Sequence, residues 1–229
     1  MLNIALIMKK INFHVISIFP SSLDSYLQTC ILKRALERKI IKVNILNPRD
    51  FTADKHQKVD DSPYGGGPGM VLMIGPILKA VQSIKSKIKK NKGVKNRTIL
   101  FSTRGKKFTG KDSLRLAKYD NLILICGRYE GVDERVAEHI ADEEISIGDY
   151  ILSGGELPAM VIIDSISRQI PGVLGKQDSL EEHKGSYPVF TKPETFPISK
   201  TKKLSVPKIL LSGNHKQIQE WRSKYNNQV

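Results

Sequence analysis

Short apolar runs alternate with helical segments along most of this chain. Runs of apolar, β-branched residues predict strands at residues 11–19, 41–46, 97–102, 122–126 and 145–147. Between them, segments such as residues 23–38 and 158–170 repeat apolar residues with the spacing of one helix face. Strands that alternate with helices are typical of an α/β fold with a mainly parallel sheet, which we therefore predict here.

Two glycine-rich turns follow two of the predicted strands. GRYEG occupies residues 127–131 and GDYILSGGE occupies residues 148–156. Glycine lets the backbone approach a ligand closely, and the carboxyl ends of parallel strands form a ligand crevice. Glu130 and Asp149 bring carboxylates to this edge, where a phosphate site would need cations or free amides. The spacing fits neither a dinucleotide fingerprint nor a P-loop, and the turns could also serve only to end their strands.

The charge of the chain points to a polyanionic partner. Its 229 residues carry a formal net charge of +14, which favours nucleic acid over membrane because Lys and Arg displace counterions from phosphates. Residues 79–111 contain twelve Lys or Arg and no Asp or Glu. This segment is either an RNA-backbone contact surface or a solvated basic face, and the charge could also reflect a lysine-rich proteome.

The sequence offers little support for a disulfide, a metal site or a membrane span. Cys30 and Cys126 lie in apolar runs without a C-x-x-C motif, so we expect free, buried thiols in a reducing compartment, the cytoplasm. The five His are scattered, so no metal ligands are predicted. No apolar run has the length of a membrane span. We expect residues 1–7 to be a start-site extension, with translation beginning at Met8.

A long polar loop at residues 52–69 separates the second predicted strand from the next helix. It contains two adjacent Asp, a Tyr, two Pro and four Gly. A passive linker of this length would be unusual, and a flexible spacer would be rich in Ser and Gly without these residues. We therefore expect this loop to contribute to function.

The chain contains five long motifs: VDDSPYGGGPGM at residues 59–70, ICGRYEGVDERV at 125–136, SIGDYILSGGELPAM at 146–160, DSISRQIPGVLG at 164–175 and LLSGNHKQIQEWR at 210–222. These motifs resemble those of the bacterial tRNA (guanine-N1)-methyltransferase family, within the SPOUT superfamily. The motifs occur in the family's order and cover most of the chain. Each is long, so together they are more specific than any single glycine motif.

The resemblance implies a two-domain organisation. Residues 8–175 would form an α/β domain of the SPOUT type, with a mainly parallel sheet and a deep trefoil knot in its carboxyl part. Residues 176–188 would be a linker that is shorter than the family's usual form. Residues 189–229 would form a small, mostly helical domain for tRNA binding, truncated relative to many members.

The resemblance further implies a methyl donor, S-adenosylmethionine, held in a bent conformation among three turns. Its contacts, carried over position by position, would come from Leu100, Phe101, Ser102, Thr103, Gly127, Tyr129, Glu130, Ile147, Gly148, Asp149, Tyr150, Ile151, Leu152, Gly154, Gly155 and Pro158. Thr103 stands where the family usually has Pro. Carboxylates near the crevice suit a sulfonium cation.

The implied substrate is the guanine immediately 3′ of the anticodon in tRNA, methylated at N1. RNA contacts would come from Lys55, His56, Asp61, Gly67, Arg104, His215 and Arg222. The implied assembly is a homodimer with the active site at the subunit interface. Mg²⁺ would be required for catalysis if the family pattern holds.

The implied chemistry needs a general base and a cation. Guanine N1 carries a proton that a base must remove, and charge then builds toward O6. By resemblance the cation is Arg168. The linker departs from the family pattern, so the base is either Glu182 or His183, depending on how the linker is aligned. We favour Glu182, because a carboxylate keeps the charge balance beside a sulfonium whereas a protonated His would be repelled.

Two other functions compete with this interpretation. One is a non-catalytic RNA-binding protein that has kept the fold, and the other is a SPOUT methyltransferase acting on ribosomal RNA. The intact glycine turns argue against the first. The loop at residues 59–70 and the segment at residues 210–222 argue against the second.

Overall fold

A parallel five-stranded sheet lies at the centre of the first of two compact units, Met1–Leu174 and Gly175–Val229. The structure, a computed structural model, describes residues 9–88, 93–174 and 185–225. In chain order the strands of the first unit are β1 (Ile11–Ile16), β2 (Ile41–Leu46), β3 (Asp60–Asp61), β4 (Val71–Leu72), β5 (Asn96–Lys107), β6 (Asn121–Ile125) and β7 (Glu143–Ser146). The large sheet has the order β2-β1-β6-β5-β7, and all its neighbouring strands pair in parallel. The short strands β3 and β4 form a separate antiparallel pair.

The helices of the first unit cover both faces of this sheet. They are α1 (Asp24–Leu27), α2 (Cys30–Glu37), α3 (Ile74–Lys87), α4 (Gly110–Leu116), α5 (Glu134–His139) and α6 (Glu156–Arg168), with 3-10 turns at Pro20–Leu23 and Pro48–Phe51. Apolar residues of α2, α4 and α6 pack on one face, and those of α3 and α5 pack on the other. Because both faces are covered, every residue of β6 is buried, as its continuous apolar run predicts.

The mainly parallel α/β fold predicted from the sequence is confirmed. One strand goes further than its apolar run indicated, because β5 continues beyond residue 102 and pairs with β7 a second time. Ile145 is the partner of Phe101 and again of Lys106. A Cβ on Gly105 would lie 2.6 Å from the backbone of Glu144. Residues 102–105 therefore form a bulge in β5 that packs closely against the backbone of β7.

The single helix predicted at residues 23–38 is wrong, and so is the burial of Cys30. The helix is interrupted between Leu27 and Cys30, where Thr29 is extended with φ −116° and Cys30 has φ +43°. The break turns the Cys30 side chain outward, so this thiol is exposed. Cys126 is buried as predicted, and burial, together with the nearby Glu156 carboxylate, raises the pKa of its thiol.

The described lysines and arginines of the basic segment at residues 79–111 do not all lie on one surface. Lys95 lies at the amino edge of the sheet, where its backbone NH donates to Asp120 Oδ2 over 2.7 Å. Lys106 and Lys107 are the last two residues of β5, at its carboxyl end, and pair with Asp112 and Asp149. The one-sided charge of the sequence is thus distributed between opposite ends of the sheet.

Residues 185–225, the described part of the second unit, contain two helices and a hairpin. The hairpin strands are β8 (Thr195–Pro197) and β9 (Lys203–Ser205), followed by helices α7 (Lys208–Leu211) and α8 (His215–Ser223). Trp221 lies between the rings of Phe190 and Tyr225, with centroid distances of 6.4 and 5.1 Å. Helices were expected here, whereas the hairpin was not. None of the helices in the described parts of the chain is long and apolar enough to cross a membrane.

Candidate functional site

A pocket of about 520 Å³ opens at the carboxyl ends of β5, β6 and β7. Its walls are the bulged part of β5, the segments that leave β6 and β7, and the first turn of α6. The residues that line it are Leu100, Phe101, Ser102, Thr103, Arg104, Gly127, Arg128, Tyr129, Glu130, Gly131, Val132, Glu134, Glu144, Ile145, Ser146, Ile147, Gly148, Tyr150, Ile151, Leu152, Ser153, Gly154, Gly155 and Pro158. The crevice expected from the parallel sheet is therefore present in the first unit.

Fifteen of the sixteen residues predicted to hold a cofactor line this pocket. The exception is Asp149, which is exposed and accepts a hydrogen bond from Lys107 Nζ over 2.5 Å. The structure thus brings the predicted residues together around one cavity. Their contacts with a cofactor remain a prediction.

Two consecutive glycines let the loop after β7 close against the loop after β6. Gly155 donates its backbone NH to Gly127 O over 2.9 Å, and Gly154 forms a bridge with Arg128. A Cβ on Gly155 would lie 2.6 Å from Cys126 Cα, closer than any side chain tolerates. Glycine is therefore required here by the approach of one backbone to another, and not only by the approach of a ligand.

The long polar loop expected to be functional packs against the pocket. Met70 O accepts the backbone NH of Glu130 over 3.0 Å, and Gly131 O accepts that of Leu72 over 3.0 Å. A Cβ on Gly69, which has φ +81°, would lie 2.5 Å from Glu130 Oε1. The glycine-rich end of the loop therefore lies directly beside the carboxylate that the sequence placed in the crevice.

A buried ion pair, which the sequence analysis missed, supports one pocket wall. Arg128 Nε donates to Glu156 Oε2 over 2.9 Å, and Ser17 Oγ donates to Glu156 Oε1 over 2.5 Å. The Arg128 guanidinium also lies 4.7 Å from the centre of the Phe19 ring. Arg128 and Glu156 both lie inside the glycine motifs, but only the fold brings Ser17 to them.

Charged side chains line the rim of the pocket near β7. Arg104 donates to Glu134 Oε2 over 2.6 Å, and this hydrogen bond raises the pKa of Arg104. Glu144 Oε2 is buried without a hydrogen-bond partner in the described parts of the chain. An unpaired buried carboxylate oxygen is costly, so a ligand that donates a hydrogen bond or carries positive charge would be favoured here.

A charge network holds the end of β5 and the start of α4 beside the pocket. The Asp112 carboxylate, which is 3% exposed, accepts from Lys106 Nζ over 2.7 Å and from Arg115 over 3.2 Å. Arg115 also donates to both oxygens of Glu143, over 3.1 and 2.8 Å. Because Lys106 directly follows the bulge of β5, this network positions one wall of the pocket.

Acid is expected to weaken this network. Burial alone would raise the pKa of Asp112, but hydrogen bonds from Lys106, Thr109 and Arg115 outweigh it and lower the pKa from 3.8 to about 2. A carboxyl with a lowered folded-state pKa stabilises the fold above its unfolded pKa and loses that effect as pH falls towards the folded value. We therefore expect Asp112 to contribute roughly 2 kcal/mol above about pH 4, and to lose it between about pH 4 and 2.

Urea unfolding of wild type and Asp112→Asn across this window measures the effect. The variant should be less stable at neutral pH and should lose less stability on acidification. Glu37→Gln, which removes an exposed ion pair with Lys33, is the control and should change stability little. Equal acid sensitivity of wild type and Asp112→Asn would contradict the assignment.

A second cavity lies on the outer side of α6 and contains Arg168. It has a volume of about 490 Å³ and is lined by Tyr26, Leu157, Met160, Val161, Asp164, Ser165 and Arg168. Tyr26 donates a hydrogen bond to Asp164, which raises the pKa of Tyr26. Arg168 does not line the first pocket. Ten residues of helix separate it from Pro158, or roughly 15 Å.

The residues predicted to bind RNA lie in several places. In the first unit Lys55, His56 and Gly67 are exposed in the long loop and Asp61 lies in β3, whereas Arg104 belongs to the pocket rim. In the second unit His215 begins α8, and the guanidinium of Arg222 lies 4.7 Å from the centre of the Tyr187 ring. The candidate bases Glu182 and His183 lie outside the described residues.

Comparison with known proteins gives one consistent result. The model of the family described as tRNA (Guanine-1)-methyltransferase TrmD matches residues 11–228. The tRNA (guanine-N(1)-)-methyltransferase of Carboxydothermus hydrogenoformans is 49% identical over 215 residues, which cover 92% of this chain and 80% of the relative. The tRNA (guanine-N(1)-)-methyltransferase of Shewanella woodyi is 47% identical over 213 residues, which cover 91% of this chain and 82% of the relative.

The comparison of folds identifies a protein of the same kind as the sequence comparison. The crystal structure of tRNA (m1G37) methyltransferase from Aquifex aeolicus matches with a TM-score of 0.78 and 38% identity. The match covers 95% of this chain and 91% of that one. The similarity therefore extends over both units and is not confined to the pocket.

Proposed function

The chain belongs to the tRNA (guanine-1)-methyltransferase TrmD family, and from this we infer that it methylates N1 of a guanine in tRNA. The resemblance stated from the five motifs is thereby confirmed at the level of the family. The finer assignment, which we propose, is the guanine immediately 3′ of the anticodon. The name of the Aquifex aeolicus relative, an m1G37 methyltransferase, supports it.

The observation that carries this proposal is the pocket built from the β5 bulge and the loops after β6 and β7. Family membership implies S-adenosylmethionine, which supplies the methyl group as a sulfonium when bound. The pocket fits such a molecule, because glycines let its loops pack closely and the carboxylates of Glu130, Glu134 and Glu144 line it, which would favour a cation. The buried, unpaired Glu144 Oε2 would accept a hydrogen bond from an amine or hydroxyl of the donor.

The position of Arg168 supports a shared active site. This guanidinium lies on the outer side of α6, beside Leu157 and Val161, which are 55% and 44% exposed. We propose that α6 packs against a second copy of the chain, so that Arg168 of one copy reaches the pocket of the other. Two-fold dimers are the commonest closed assembly. Arg168 would then stabilise negative charge at guanine O6.

The general base is proposed from the linker, where Glu182 is our choice over His183. Single-turnover methylation should fall roughly 10²- to 10⁴-fold in Glu182→Gln, because no other group would take the N1 proton. His183→Ala should retain most of the rate, as should Glu181→Gln. The loss of rate at low pH should disappear with Glu182→Gln alone. Near-normal chemistry in that variant, with a collapse in His183→Ala, would reverse the assignment.

We also propose Mg²⁺ as an accessory to catalysis. No group of three or more His, Cys, Asp or Glu is placed to hold a metal ion within the described residues. A Mg²⁺ ion would therefore depend on RNA phosphates and water for most of its ligands, in keeping with its usual coordination.

Cytoplasmic localisation is also proposed, because the proposed substrate is tRNA.

Mapping methyl groups on tRNA tests the proposed function. The purified protein should convert unmodified tRNA transcripts with guanine beside the anticodon into 1-methylguanine at that position. Transcripts with adenine there should remain unmodified. Modification found only in ribosomal RNA would favour the ribosomal competitor, and RNA binding without methyl transfer would favour the non-catalytic one.

A further inference from the structure

The hairpin of the second unit exposes its side chains without burying any of them. All six residues of β8 and β9 are exposed. Two short strands have marginal stability on their own and usually need an apolar face packed against something. Packing among the described residues therefore gives no account of why this hairpin carries large apolar side chains.

One face of the hairpin is an apolar platform. Phe196 and Leu204 are cross-strand partners and are 59% and 53% exposed. Ile198, at the start of the turn, is 55% exposed. Side chains of cross-strand partners lie on the same face of the hairpin, so the Phe196 ring is flanked by aliphatic groups. An exposed aromatic ring of this kind can stack on an unpaired base.

The turn of the hairpin presents a cluster of positive charge. Lys200, Lys202 and Lys203 follow one another closely, and residues 195–205 contain no Asp or Glu. Lys202 O accepts the backbone NH of Ile198 over 2.9 Å, and Ser199 Oγ accepts that of Lys202 over 3.1 Å, so the turn is ordered. The salt bridges of the described residues involve none of these lysines. Their charges are available to a polyanion.

We propose that this hairpin is a contact element for the substrate RNA. Phe196 stacks on an unpaired base, and Lys200, Lys202 and Lys203 contact neighbouring phosphates. The proposal rests on the proposed function, since it takes tRNA as the ligand. RNA fits this surface better than a second copy of the chain, because a second copy would bring a net charge of +14 and the same lysines.

The test measures tRNA affinity of the full-length protein over a series of salt concentrations. Phe196→Ala should weaken binding roughly tenfold, and Phe196→Tyr should restore it, because stacking needs an aromatic ring. Replacing Lys200, Lys202 and Lys203 by Gln should lower the slope of log Kd against log salt by about two to three. The control replaces Lys10, Lys42 and Lys118 by Gln, because these exposed lysines lie outside the basic segment at residues 79–111 and their replacement changes the net charge equally.

The same hairpin variants distinguish a failure of this proposal from a failure of the proposed function. S-adenosylmethionine affinity and kcat at saturating tRNA should stay unchanged, while KM for tRNA rises. If methyl transfer were absent in the wild type, tRNA affinity would still test the hairpin. Unchanged affinity in both hairpin variants, or an equal loss in the lysine control, would overturn the proposal. So would dissociation of an oligomer by Phe196→Ala, because the platform would then be a protein interface.

Discussion

Replacing Arg168 by Ala is expected to lower kcat roughly 10²- to 10³-fold while leaving S-adenosylmethionine affinity unchanged. The loss follows from removing a fixed cation where charge develops on the base. Affinity should be unaffected because Arg168 does not line the pocket of its own chain and, in the proposed dimer, would contact guanine O6 and not the cofactor. Steady-state kinetics and calorimetric titration measure the two quantities. Arg168→Lys keeps the charge but not the planar, forked donor, so it should recover the rate only in part.

Mixed dimers test where Arg168 acts. Co-expression of Arg168→Ala with Gly155→Ala, assayed at a cofactor concentration too low to fill the Gly155→Ala pocket, should give about a quarter of wild-type activity. Half of the dimers would be mixed, and each mixed dimer would combine one intact pocket with one intact Arg168. If the two groups belonged to the same chain, the mixture would contain no complete site. Absence of recovery in a purified mixed dimer would therefore exclude the shared site.

Gly155→Ala is expected to weaken S-adenosylmethionine binding roughly 30- to 100-fold, the equivalent of about 2–3 kcal/mol. Gly155 has φ −82°, which Ala adopts readily, so backbone conformation gives no penalty. The added Cβ would meet the Cys126 backbone at 2.6 Å and separate the two loops that Gly127 and Gly155 join. Calorimetric titration without RNA measures the loss.

Gly110→Ala is the matched control for this effect. A Cβ there would have nothing within 4 Å, and the position has an ordinary φ in the first turn of α4. Its cofactor affinity should equal that of the wild type. If Gly155→Ala also bound the cofactor normally, close packing of the two loops would not be what shapes the pocket.

The parallel sheet and the location of the pocket could be predicted from the sequence. Apolar runs of β-branched residues predict buried strands locally, because both faces of a covered sheet exclude polar residues. Parallel strands end at the same edge, so glycine turns after residues 122–126 and 145–147 had to lie close together. Here the local pattern and a topological rule were sufficient.

Details that depend on distant contacts could not be predicted in this way. The break before Cys30 leaves its thiol outside the core, although its apolar neighbours indicated burial. Asp149 pairs with Lys107, forty-two positions earlier, instead of lining the pocket. The strands β8 and β9 have only three residues each and no buried side, so hydrophobic periodicity carried no signal for the hairpin.

The sequence by itself determined the family, the fold class and most of the residues around the crevice, because long motifs and apolar periodicity are local properties of the chain. Only the tertiary structure decided how that crevice is held together. Glu156 is buried between Ser17 and Arg128, and Gly155 touches the Cys126 backbone. These contacts join segments far apart in the chain, and their energies depend on distances of a few ångströms that no sequence spacing encodes.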